Sequence, residues 1–168
     1  MSNEHVELNQ EVIDTALDVL EELKITPFGV EVPFIDWQFG FGGRIDLIGE
    51  WPEDPEDEEG DVYRRLILDW KFRETKPDRP ITMWDDYIIC LAGYGVGYTA
   101  MLPHRLIDEY DLVNVVVSVN EPGRWEMKVW SPKEIDHAWR VFNADLKAWF
   151  VDKKYDPREG PNGDDEEE

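Results

Sequence analysis

The stretch Arg65-Leu-Ile-Leu-Asp-Trp-Lys-Phe72 decides the fold. Leu66, Leu68, Trp70 and Phe72 recur every second residue and share one face of a strand, while Ile67, Asp69 and Lys71 share the other. A purely structural strand would not put a carboxylate and an ammonium on one face of an otherwise apolar run. Two readings follow: a salt bridge on an exposed edge, or a functional group, since perturbed ionisable residues cluster at functional sites.

Working outward toward the N-terminus, Gly42-Gly-Arg-Ile-Asp-Leu-Ile-Gly-Glu50 supplies a second strand, Arg44–Gly49, and with it Asp46. Residues 50–61 hold eight acids and no base, too polar to pack, so they read as a long solvated hairpin loop joining the two strands. If those strands are neighbours, Asp46 lies across from Asp69 on the same sheet face. Two acids and a lysine would then converge, a set that suits Mg²⁺, which one or two carboxylates plus water and phosphate commonly hold. Further upstream, Gly40, Gly42 and Gly43 read as a tight turn, and Val30–Phe34 with Ile35 and Trp37 as a first strand. Before that, apolar residues from Leu8 to Leu23 recur at helical spacing, with Pro27 and Gly29 as the terminator.

Toward the C-terminus, Tyr87–Leu102 is apolar or small throughout and reads as a buried helix, too short to span a membrane. Leu112–Val119 and Arg124–Trp130 form a hairpin about the turn Asn120-Glu-Pro-Gly123, and Ser131-Pro-Lys-Glu134 is a capping box that opens a last helix. The expected order is helix, three strands, helix, two strands, helix. This is an α/β (α+β) domain, with a central mixed sheet of about five strands flanked by helices, over residues 1–155; residues 156–168 are expected to form a disordered acidic tail.

Composition narrows the function classes. The chain of 168 residues carries 39 acidic and 17 basic side chains, a net charge of −22, so non-specific attraction to nucleic acid or anionic lipid is not expected. Eight Trp, seven Phe and six Tyr supply enough large apolar surface for an ordinary core. The one cysteine, Cys90, excludes a disulfide framework, a four-cysteine zinc site and an iron–sulfur cluster. The N-terminus has no signal-peptide pattern and no apolar run reaches the ~20 residues of a membrane helix. A cytoplasmic protein with no membrane partner is the expectation.

With these elements in place, the sequence resembles the PD-(D/E)XK nuclease superfamily, and within it the RecB-like branch. Gly43-Arg-Ile-Asp46 is similar to the metal motif GxxD, and Leu68-Asp-Trp-Lys71 to the (D/E)xK motif, each in a strand, with a helix after a short linker beyond the second. The resemblance spans about residues 5–150. It implies a restriction-endonuclease-like core, with Asp46 and Asp69 binding Mg²⁺ or Mn²⁺, the Trp70 backbone carbonyl joining them, and Lys71 assisting the attacking water. It further suggests His5 as a ligand and Glu31 as a supporting acid, although a solvated histidine and a plain strand-edge glutamate are the ordinary readings of both. Where the branch has Gln-x-x-x-Tyr, this chain has Cys90-Leu-Ala-Gly-Tyr94: the tyrosine is kept, the glutamine is not.

Charge distribution adds to this. Six of the 17 basic residues fall within 64–79, bracketing the Asp69–Lys71 strand. Arg73, Lys76 and Arg79, with Tyr94, are the expected DNA contacts. The function this implies is a metal-dependent deoxyribonuclease, an enzyme hydrolysing DNA phosphodiesters. Its small size suits an exonuclease-like role in phage or mobile-element DNA processing, with a phage or host recombination protein as a further partner. The alternative is a non-catalytic acidic interaction protein, either a degenerate nuclease fold or a DNA mimic.

Overall fold

The computed structural model describes residues 9–53, 62–103 and 106–159. In chain order these form α1 (Gln10–Glu22), β1 (Thr26–Asp36), β2 (Phe41–Pro52), β3 (Tyr63–Arg73), α2 (Asp85–Ala100), a 3₁₀ turn at Ile107–Glu109, β4 (Tyr110–Ser118), β5 (Trp125–Val129) and α3 (Pro132–Lys153). The expected order of helices and strands is the observed one. Five strands make one mixed sheet in sequential order, antiparallel at every seam except β3–β4. That parallel seam requires a crossover, and α2 provides it.

Helices cover both faces. Ile67 of β3 and Leu112 of β4 pack with Leu91 and Ala92 of α2 and Ala138 of α3. Leu66, Leu68, Val113, Val115 and Val117 pack on the opposite face with Val12 and Val19 of α1. The middle of β3 and β4 is therefore apolar on both sides, and an ionisable residue there has little solvent to fall back on.

Two sequence expectations are corrected by the backbone. Pro27 and Gly29 do not end α1; Lys24 does, adopting a left-handed φ of 53° while the Ile25 N–H bonds back to Leu20 O at 2.8 Å. Pro27 then sits in β1, an edge strand that tolerates a missing N–H, and Gly29 marks a register shift against β2. Nor do Gly42 and Gly43 make the turn. Gly40 alone takes a positive φ there (74°), whereas Gly43 is a strand residue where a Cβ would lie 2.8 Å from the Phe34 ring.

The capping box at Ser131 and Glu134 forms as expected, with Pro132 at the first helical position of α3. Asp156–Glu159 make a turn that lays Arg158 over Phe150, 5.3 Å from its centroid. β2 and β3 are joined as an antiparallel hairpin. The acidic loop residues 54–61 and the tail from 160 onward lie outside the described residues.

Candidate active site

The site begins with a paired irregularity in β1 and β2. Ile45 and Ile48, three residues apart, both face the α2 layer, while Leu47 between them faces α1. Strict alternation forbids this, so the pleat slips by one residue at Asp46. Across the seam, Val30 pairs with Leu47 and Val32 with Ile45, and between them Glu31 has a left-handed φ of 53°. The two slips coincide, so the pairing of the two strands continues through them. The β2–β3 ladder, in contrast, stops at Leu47↔Leu68, one pair short of Asp46 and Asp69.

The Asp46 carboxylate fills the gap so made. It accepts the Trp70 backbone N–H at 2.8 Å, in place of a ladder bond. A strand residue's N–H and C=O project to the same edge, so the Trp70 carbonyl projects toward the same opening. Asp46 is half-buried and also borders a cavity of about 500 Å³ between α1 and the sheet, lined by Ile13, Leu17, Val30 and Trp70. Burial raises its carboxyl above the ordinary aspartate value, and the Glu31 charge adds to the rise; the Trp70 N–H and Lys71 counter it.

Asp69 lies deeper, 3% exposed. Its Oδ2 receives Lys71 Nζ at 2.5 Å and Asn114 Nδ2 at 2.7 Å. Asn114 is its parallel register partner on β4, fully buried, and its own Oδ1 accepts the Trp130 indole N–H at 2.7 Å. Burial raises the Asp69 carboxyl and the Asp46 charge raises it further, against the opposing pull of Lys71 and Asn114. Asp69 therefore senses Asp46 across the gap in the ladder.

The wall beyond Lys71 is aromatic. Lys71 Nζ lies 5.5 Å from the Tyr87 ring centroid, and the Arg73 guanidinium stands over Trp84 at 4.5 Å. Further along α2, Tyr94 packs beside Gly43 and Phe34, and burial, reinforced by Asp69, pushes its phenol up to about 12. Such a phenol is a hydrogen-bond donor at neutral pH and not a base. Cys90, one helical turn earlier and exposed, senses the charges of Lys71 and Asp69.

The structure thus brings Asp46, Asp69, Lys71 and Tyr94 within electrostatic reach of one another at the end of the β2–β3 ladder, with Arg73 farther along β3 beside Tyr87 and Trp84. Glu31 borders this group, in an ion pair with Arg44 at 2.5 Å. Lys76 and Arg79 are exposed on the loop that leads from β3 to α2, with their backbone carbonyls bound by Arg124. Arg64 and Arg65 are separated from this group at the other end of β3, where Arg64 pairs with Asp111 at 2.7 Å and Arg65 with Glu109 at 3.6 Å. His5 lies outside the described residues. Sequence reasoning missed Asn114 and Trp130, whose signal was a single amide within the β-branched run Leu112–Val119.

Among the described residues no group of three or more His, Cys, Asp or Glu side chains is placed to hold a metal. The donors present are two desolvated, mutually repelling carboxylates, beside an opening toward which a carbonyl projects. Such a set fits a hard cation that keeps several waters, and it does not fit zinc, which takes three or four protein ligands. No helix among the described residues is long and apolar enough to cross a membrane. No protein-family model and no curated protein sequence matches the chain.

Proposed function

We propose that this chain is a metal-dependent deoxyribonuclease that hydrolyses phosphodiester bonds. The observation that carries the reading is the interrupted β2–β3 ladder, where Asp46 comes close enough to raise the buried Asp69 carboxyl and Lys71 reaches the deeper of the two acids. Fixed charges that repel one another in a partly dry place cost stability, and function is the usual reason for keeping them. Asp46, Asp69 and the Trp70 carbonyl would hold Mg²⁺ or Mn²⁺. Bound there, the cation would supply Lewis-acid stabilisation and a more acidic water.

The chain's own groups do the rest. Asn114 fixes the orientation of Asp69 through Oδ2, and Trp130 fixes Asn114. Lys71 Nζ carries protons with which to orient the attacking water and to stabilise charge growing on the phosphate oxygens. Tyr94, held protonated, can donate to a phosphate oxygen without competing for the water's proton. The cytoplasmic setting and the phage or mobile-element role, with a recombination protein as partner, belong to the same proposal and rest on size and resemblance.

The rival reading is a degenerate, non-catalytic fold. It is favoured by the Asp69–Lys71 ion pair, which is complete without a cation. Single-turnover cleavage of linear, circular and single-stranded DNA in Mg²⁺ and Mn²⁺ separates the two, with wild type, Lys71→Ala and Asp69→Asn compared. Loss of about 3 kcal/mol of transition-state stabilisation in Lys71→Ala would slow turnover more than a hundredfold with little change in DNA affinity. A wild type that cleaves none of the three DNAs in either metal would overturn the nuclease reading.

A further inference from the structure

Trp84 occupies the N-cap position of α2, where Ser, Thr, Asp or Asn would satisfy the helix's first N–H groups, and its side chain makes no capping bond. The indole is also 52% exposed. A large apolar ring thus stands at a position where the fold gains neither a cap nor a buried side chain from it. It is nonetheless held firmly. The Arg73 guanidinium lies over it at 4.5 Å, and Tyr87 sits 5.7 Å away, centroid to centroid. Tyr87 in turn lies 5.5 Å from Lys71 Nζ, so one aromatic ring separates Trp84 from the Asp69–Lys71 pair. Arg73 also binds the Thr82 carbonyl, and Arg124 binds those of Lys76 and Arg79, which fixes the backbone leading to Trp84.

We infer that Trp84, backed by Arg73, is a stacking platform for an unpaired nucleobase next to the reacting phosphate, so that the substrate is single-stranded DNA or a frayed end. The inference rests on the nuclease reading and deepens it. Charge selects a base over a phosphate at this edge. Asp85 and Asp86, in the first turn of α2, repel a phosphate that the helix end would otherwise attract, and a neutral base face escapes that repulsion. Lys76 and Arg79, exposed on the adjoining loop, remain for the backbone. Only an unpaired base can offer its face to the ring, because in a duplex both faces are taken by the stack.

The test is fluorescence anisotropy in Ca²⁺ with a labelled oligothymidine and a blunt duplex, paired with single-turnover cleavage of both in Mg²⁺, for wild type, Trp84→Ala and Trp84→Phe. Trp84→Ala should weaken single-strand binding by at least about fivefold and duplex binding by less than about twofold, with Trp84→Phe restoring most of the loss. Equal losses on both DNAs, or none on either, would overturn the platform. If wild type cleaves DNA while Trp84→Ala matches it on both substrates, the platform falls and the nuclease reading stands. If wild type shows the Trp84-dependent single-strand binding yet cleaves neither DNA, the nuclease reading fails and the platform stands as a binding site.

Discussion

Asn114 donates its amide N–H to Asp69 Oδ2 at 2.7 Å across the one parallel seam of the sheet, and both side chains are buried. Its carbonyl is meanwhile taken by Trp130. Asn114→Ala leaves a buried carboxylate and a buried indole N–H each short of a partner, at a cost of about 3 kcal/mol. In a chain of this size that is a fall of roughly 6–12 °C in melting temperature. A differential scanning melt in chelator checks it, and a shift under about 2 °C would show that Asp69 is held in place by other contacts.

Glu31 is a non-glycine residue at a left-handed φ, which costs about 1–2 kcal/mol, while its ion pair with Arg44 is exposed and worth ~1 kcal/mol at most. Glu31→Gly should therefore stabilise by roughly 1 kcal/mol, and Glu31→Val, β-branched at the same φ, should destabilise by more than about 1 kcal/mol. Urea unfolding of the pair gives both signs at once. Destabilisation by glycine would mean that the ion pair outweighs the backbone.

Asp46 gives a pH signature. Burial raises its folded-state carboxyl, so the folded chain holds that proton more tightly than the unfolded one does. Stability from this group consequently falls as pH rises from the unfolded value of 3.8 through the raised folded value, and the penalty is constant above. Asp46→Asn removes the penalty and keeps an acceptor for the Trp70 N–H. In chelator at pH 7 the variant should melt above wild type, with the gap closing as pH approaches 3.8, and Mg²⁺ should reverse the order by binding wild type alone. A variant that melts lower at pH 7 in chelator would contradict this.

The basic residues divide by position along β3. Arg64 and Arg65 are matched by Asp111 and Glu109, whereas Lys76 and Arg79 are exposed beside the opening. Lys76→Gln and Arg79→Gln should each flatten the slope of log affinity against log salt by about 0.7 on single-stranded DNA, and Arg64→Gln and Arg65→Gln should leave it unchanged. Titrations over a range of salt concentrations decide it; equal slopes in all four variants would remove the loop from the DNA contact surface.

Alternation along Arg65–Phe72 placed Asp69 and Lys71 on one face, and they are there, because β3 is an inner strand whose two apolar faces leave no freedom of register. The same rule put Asp46 directly across from Asp69, and it failed by one residue. Its failure begins at Glu31, whose backbone conformation no glycine or asparagine announces. Asn114 was legible only as an oddity, since nothing local tells which buried acid an isolated amide will meet. The run of bases at 64–79 misled in another way: proximity in sequence became opposite ends of one strand.

Different chemistry ties down the two sides of the site, polar bonds on the loop between β3 and α2 and aromatic packing on the β1–β2 hairpin. Three of that loop's carbonyls, those of Lys76, Arg79 and Thr82, are bound by guanidinium groups. On the other side, the outer half of the β1–β2 hairpin loses its pairing to β3 beyond Leu47 and is held instead by aromatic packing, Phe34 on Tyr94 of α2, Phe39 on Trp139 and Phe41 on Phe142 of α3. Truncating an aromatic ring of α3 would therefore loosen the side that bears Asp46 and leave the polar ties behind Lys71 intact.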